Sequence, residues 1–123
     1  MQTSLRLHCR DLRASIEFYD RIFWARPQQR RDPDAKVQHV AIGNGLWLKL
    51  IERDHRPATD SHLEFEGVDV MSLYQRIRGR IPEREGLRED LPPGHCWGPY
   101  EYPGGHLLVI RDPDGHDLDF VEW

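Results

Sequence analysis

Four short stretches of this 123-residue chain place charged or imidazole side chains at alternate positions, with apolar residues between them. Ser4, Arg6 and His8 alternate with Leu5, Leu7 and Cys9. Trp47 and Lys49 alternate with Leu46, Leu48 and Leu50. His62, Glu64 and Glu66 alternate with Leu63 and Phe65, and Asp117 and Asp119 with Leu118 and Phe120. Period two marks a half-buried strand. One side of each strand belongs to a core, and the other gathers guanidinium, ammonium, imidazole and carboxylate groups around a tryptophan. A face that polar, with an indole on it, suits a cavity that takes a small molecule. The alternative is a face that simply meets water, as antiparallel sheets often do. The basic and imidazole groups alternating with Trp47 favour the cavity.

Other chemistries find little support. No G-x-S-x-G elbow, P-loop, H-E-x-x-H helix or dinucleotide fingerprint occurs. Cys9 and Cys96 form neither a disulfide framework nor a C-x-x-C site and read as reduced thiols. The formal net charge is −4, from 17 basic and 21 acidic side chains. That argues against nucleic acid, which needs a concentrated basic surface. The basic cluster of Arg26, Arg30 and Arg31 is followed at once by Asp32 and Asp34 and reads as a solvated loop. No segment approaches a membrane span, and Met1 to Arg10 lacks the apolar run of a signal peptide. The expectation is a cytoplasmic protein with no membrane or nucleic-acid partner.

The elements that must position these residues follow in order. After the first strand, Asp11 offers an N-cap to a helix with Leu12, Ser15, Ile16, Tyr19, Ile22 and Phe23 at helical spacing, ended by Pro27 and the polar stretch after it. Val37–Ile42 and Leu46–Ile51, joined by Gly43-Asn44-Gly45, predict a hairpin. A polar linker with Pro57 follows. The pattern then restarts: a strand over 62–66, an Asp69-capped helix carrying Val70, Leu73, Tyr74 and Ile77 and stopped by Pro82, one or two short strands within 83–105, a strand at Leu107–Ile110, a tight turn at Asp112-Pro113-Asp114-Gly115, and a last strand over 116–122. The helices align at an offset of 55 (Tyr19 with Tyr74, Ile22 with Ile77). The closing strands align at an offset of 70 (Leu48 with Leu118, Lys49 with Asp119). The repeated order favours duplication and an α+β fold.

Asp11-Leu12-Arg13-Ala14-Ser15-Ile16-Glu17-Phe18-Tyr19, His62-Leu63-Glu64-Phe65-Glu66-Gly67-Val68-Asp69 and Arg111-Asp112-Pro113-Asp114-Gly115-His116-Asp117-Leu118-Asp119-Phe120 resemble the vicinal oxygen chelate superfamily. Its members include glyoxalase I, fosfomycin-resistance thiol transferases, extradiol dioxygenases and bleomycin-resistance proteins. The resemblance covers nearly the whole chain. It implies one domain over 1–123 with two tandem βαβββ modules, about 1–55 and 60–123, forming a cup-shaped mixed sheet usually completed in a homodimer.

Enzymes of that superfamily hold a divalent metal through His or Gln, Glu, His and Glu on the strands that open and close each module. The resemblance puts those positions on Ser4, Lys49, His62 and Asp119. Two suit a metal and Lys49 opposes one, since a protonated amine only donates. His8 shares the face of Ser4 but lies roughly 13 Å along the strand, and His39 is a further candidate on a neighbouring strand. The implied arrangement has Lys49 standing where the metal would be, paired with Asp119 and near His62. Bleomycin-resistance proteins bind without transforming, and Cys96-Trp97-Gly98 resembles their groove-lining Trp-Gly pair. Tyr100 and Tyr102 add flat faces nearby, and the overall negative charge would weakly favour a cationic ligand.

The resulting expectation is a metal-independent, homodimeric small-molecule binder without a cofactor. It would sequester a toxic or antibiotic-like ligand in a cup lined by Arg6, His8, Trp47, Lys49, His62, Glu64, Trp97 and Asp119. The alternatives are a divalent-metal-dependent lyase or dioxygenase using His62, Asp119 and one further ligand, and a protein–protein module. Whether any reaction is catalysed stays open. His55, His95 and His106 read as solvated loop residues, and His116 has no assigned role.

Overall fold

A computed structural model describes residues 3–23, 36–43, 45–53 and 61–123. The chain divides into two compact units, Met1–Thr59 and Asp60–Trp123. The arginine cluster at 26–31, Asp32, Asp34, Pro27, Asn44, His55 and Pro57 lie outside the described residues.

In the first unit, β1 (Thr3–Cys9) leads into α1 (Leu12–Phe23), then β2 (Val37–Gly43) and β3 (Leu46–Glu52). The predicted N-cap forms, with the Asp11 carboxylate accepting from Ala14 N–H at 3.2 Å. A second free N–H of the first turn, that of Leu12, donates to Glu52 Oε2 at 2.8 Å, so the end of β3 helps start the helix. α1 buries Leu12, Ser15, Ile16, Tyr19 and Ile22 as spacing predicts, and Phe18 as well. Phe18 meets Tyr19 edge-to-face with ring centroids 5.8 Å apart. The sheet order is β1-β3-β2, with β1 parallel to β3 and β2 antiparallel to it. Leu7, Leu48, Leu50 and Val40 are almost fully buried on the side that α1 covers.

The second unit contains β4 (His62–Glu66), α2 (Val70–Ile77), β5 (Cys96–Tyr102), β6 (Gly105–Arg111) and β7 (Asp117–Glu122), in sheet order β4-β7-β6-β5. A short 3-10 turn, Arg88–Asp90, sits in the loop before β5. Asp69 caps α2, accepting from Ser72 N–H at 3.1 Å and Ser72 Oγ at 2.8 Å. That capping pushes the Asp69 carboxyl below its ordinary pKa. α2 stops at Ile77, ahead of Pro82, as the chain turns through Gly79. The loop after it holds one strand, β5. The 112–115 turn forms as expected: Gly115, at φ +92°, donates to the Asp112 carbonyl, and the Asp112 carboxylate accepts from the N–H groups of Asp114 and His116.

The strand registers carry the duplication further than the sequence match. Ser4 pairs with Trp47 and Arg6 with Lys49, while His62 pairs with Asp117 and Glu64 with Asp119. Ser4 and His62 are therefore equivalent, as are Lys49 and Asp119. The two caps, Asp11 and Asp69, stand at the same offset as those opening strands. The helix match at 55 falls three residues short of that offset. One turn of helix returns the same face, so a slip of one turn still aligned apolar residues.

Two expectations need correcting. His106 is not in a loop but on β6, where Nδ1 lies 2.7 Å from Glu122 Oε1. His116 is buried just before β7, and its Nδ1 accepts from Ser61 N–H at 2.8 Å. Since a backbone N–H only donates, that imidazole carries its proton on Nε2.

Candidate functional site

Cross-strand partners share a face, so register alone places the eight expected ligand-binding residues. In the first unit, Arg6, His8, Trp47 and Lys49 share the face turned away from α1, and His39, opposite Lys49 on β2, joins them. In the second unit, His62, Glu64, Asp119 and Trp97 share the face opposite the buried Leu118, Leu108 and Ile110.

The second face is the more highly structured. Asp119 is only 5% exposed. A buried carboxylate is costly without a partner, and the resemblance implied Lys49 for that role. Within this unit the partner is Arg88: its Nη2 lies 2.6 Å from Asp119 Oδ1 and 3.5 Å from His62 Nε2. His62 Nε2 lies 3.0 Å from the other carboxylate oxygen of Asp119. Arg88 also stands 3.6 Å from Asp117. Asp117 is gripped in turn by Arg111, Nε at 2.6 Å and Nη2 at 3.0 Å, a fork-to-fork pair. Burial raises the Asp117 carboxyl's pKa, but the hydrogen bond and charge of Arg111, helped by Arg88 and His62, outweigh it and hold the pKa below the ordinary aspartate value. Two carboxylates are thus matched by two guanidiniums, with His62 at the rim.

The turn carrying Arg88 is fastened at both ends. Trp97 donates its indole N–H to the Gly86 carbonyl at 2.9 Å, and Arg111 donates to the Leu91 carbonyl. Trp97 therefore braces the loop, while its ring lies against Tyr100 with centroids 4.2 Å apart. Gly98 makes this corner possible: φ is +97°, and a Cβ there would come 2.8 Å from the Leu107 carbonyl. Beside it, an open hollow of about 520 Å³ lies between Tyr74, Glu83, Glu85, Pro99 and Tyr100. The Tyr74 hydroxyl donates to Glu83 at 2.7 Å, which raises the phenol's pKa. Tyr102 is turned to structural use, donating to the Glu122 carbonyl at 3.0 Å.

A divalent metal does not fit this donor set. His62 and Asp119 are close enough to share an ion, but the Arg88 guanidinium is within charge contact of both. A divalent ion about 4 Å from a guanidinium would meet repulsion on the order of several kcal/mol. Among the described residues, no three His, Cys, Asp or Glu side chains form a group that could hold a metal. The remaining positions implied by resemblance are a hydroxyl at Ser4 and an ammonium at Lys49.

Arg88 and the bracing role of Arg111 escaped the sequence reading. Arg88 lies in a loop rich in Pro and Gly, where no periodicity selects a face. A buried acid such as Asp119 announces the need for a cation but not where that cation comes from.

No protein-family model and no curated protein matches this chain. Solved structures do. The chain is similar to a bleomycin resistance determinant encoded on the transposon Tn5, at 20% identity and TM-score 0.71, over 98% of this chain and 95% of that one. It is similar to a bleomycin-binding protein from bleomycin-producing Streptomyces verticillus complexed with copper(II)-bleomycin, at 17% identity and TM-score 0.71, over 100% and 96%. It is also similar to TnmS3, an antibiotic binding protein from Streptomyces sp. CB03234, at 18% identity and TM-score 0.68, over 99% and 94%. The chain has the glyoxalase/bleomycin-resistance fold.

Proposed function

We propose that this protein binds and sequesters a small organic molecule, toxic or antibiotic-like, without a metal ion and without transforming it. The observation that carries this reading is the Arg88 guanidinium 2.6 Å from Asp119 and 3.5 Å from His62. It puts a fixed cation beside the two side chains best suited to a metal and neutralises the carboxylate. Fold-mates that bind bleomycin or another antibiotic support the binding role. No helix among the described residues is long and apolar enough to cross a membrane. The reading includes a cytoplasmic homodimer, with two copies by light scattering as its expected outcome.

The test combines metal analysis with ligand screening on the full chain. Protein purified without chelators is expected to hold far less than one divalent ion per subunit. A broad library is expected to contain compounds that raise the melting temperature, since a ligand at a hundred times its Kd adds about 2.7 kcal/mol of stability. About one tightly bound divalent ion per subunit, lost in His62→Ala, would replace this reading with a metal-dependent lyase or dioxygenase. A library without a single stabilising compound would leave a protein–protein module.

A further inference from the structure

The first unit's open sheet face poses a separate electrostatic problem. Arg6, Lys49 and His39 are direct register partners across all three strands, β1, β3 and β2. They form one row at right angles to the strands, at inter-strand spacings of about 4.8 Å. Trp47 lies on the same face two residues from Lys49, flanked by Ser4 and Ala41. Like charges directly opposite each other destabilise a sheet, so a row of basic groups needs a counter-charge.

Among the described residues of this unit, no carboxylate stands on this face. Among the described residues, the unit's carboxylates are Asp11, Glu17, Asp20 and Glu52. Asp11 and Glu52 bond the start of α1, Glu17 pairs with Arg13, and Asp20 lies on α1. Within this unit no hydrogen bond or ion pair joins the side chains of Arg6, Lys49 and His39 to another described residue. Arg6 is exposed, whereas Lys49, His39 and Trp47 are half-buried.

We propose that this face is an anion site, and that the ligand is a planar aromatic anion. Its carboxylate or similar oxyanion sits on Arg6, Lys49 and His39, and its ring lies against Trp47. The guanidinium offers a planar donor fork, the ammonium three donors, and the imidazole at least one N–H in either charge state. Indole supplies the flat apolar surface beside them. The overall negative charge does not oppose this, because charges farther away than about 8 Å are largely screened at physiological salt. The proposal rests on the small-molecule-binding reading and narrows its ligand class.

Three probes of one shape test it on the full-length protein: 2-naphthoate, the neutral 2-naphthamide and the cationic 2-naphthylmethylammonium, followed by calorimetry and by amide chemical shifts. Naphthoate is expected to bind about tenfold or more tighter than either isostere, to weaken as salt rises, and to shift amides of β1–β3. Arg6→Gln and Lys49→Gln are each expected to weaken naphthoate about fivefold or more, and Lys49→Glu to reverse the preference toward the cation. Lys49→Gln should also raise the melting temperature of the free protein by removing like-charge repulsion, a gain that accompanies lost affinity only where the row is kept for binding. Equal affinity for the three probes, preference of the native protein for the cation, shifts confined to residues 60–123, or no naphthoate binding at millimolar concentration would each overturn the proposal. Those results leave the binding reading standing as long as the library screen still yields stabilising compounds of another class, and an empty screen removes both.

Discussion

Arg88, Asp119, His62, Asp117 and Arg111 act as one charge network, so single substitutions there should not add. Arg88→Met leaves the buried Asp119 carboxylate with only His62 and is expected to destabilise by about 1–3 kcal/mol. Adding Asp119→Leu removes the stranded charge and should recover part of that loss. A double-mutant cycle by urea denaturation reads the coupling. Additive losses would mean that the pair does not bind Asp119's charge as its 2.6 Å contact requires. The need for a cation at Asp119 was implied by the family resemblance. Its source was not, because Arg88 reaches Asp119 from a loop 31 residues earlier in the chain. Glu64, in register with Asp119, is exposed and stays available at the rim.

At the scale of elements, period two placed β1, β4 and β7 and period 3.6 placed both helices, since those patterns report which side of an element is buried, whereas β5 was foreseen only as one or two short strands within 83–105. Boundaries set by single contacts were harder to read. α2 ends at Ile77, ahead of Pro82, because the chain turns through Gly79 before the proline can act. The strand expected at Leu107–Ile110 starts earlier: Gly105 opens β6. The reason is steric: a Cβ on Gly105 would overlap the Glu122 carbonyl on the paired strand. Gly105→Ala is therefore expected to pry β6 from β7 at that end, costing about 1–3 kcal/mol and weakening the His106–Glu122 pair beside it. Amide exchange that speeds up along Leu107 and Val121 checks this, and an unchanged exchange pattern would contradict the close approach.

Taken as a whole molecule, the two units share one plan and carry opposite electrostatic solutions on equivalent faces. The first presents Arg6, Lys49 and His39 without a matching carboxylate among its own described residues; the second presents acids that Arg88 and Arg111 neutralise. This asymmetry is invisible in a net charge of −4. It also sets the response to acid. The Asp117 carboxyl has a folded pKa below its unfolded one, so its stabilising contribution is complete above the unfolded value, about 3.9. That contribution disappears as pH falls through the depressed folded value. Stability measured by denaturation should drop below about pH 4, and Arg111→Met should flatten that drop relative to the native protein. A drop of the same size in the variant would mean that Arg111 does not set this titration.

The sequence by itself determined most of the order of strands and helices, the apolar side of each periodic element, the duplicated plan, and the sheet faces on which Arg6, His8, Trp47, Lys49, His62, Glu64 and Asp119 stand. Those properties depend on local periodicity and on neighbours a few residues apart. Only the tertiary structure decided which charge meets which. It joined Arg88 to Asp119, Arg111 to Asp117 and Leu91, Trp97 to Gly86, and His116 to Ser61. It also set Arg6, Lys49 and His39 in one row. Such pairings are contacts across loops and between strands distant in the chain, and their energies depend on distance and burial, which no spacing along a sequence encodes.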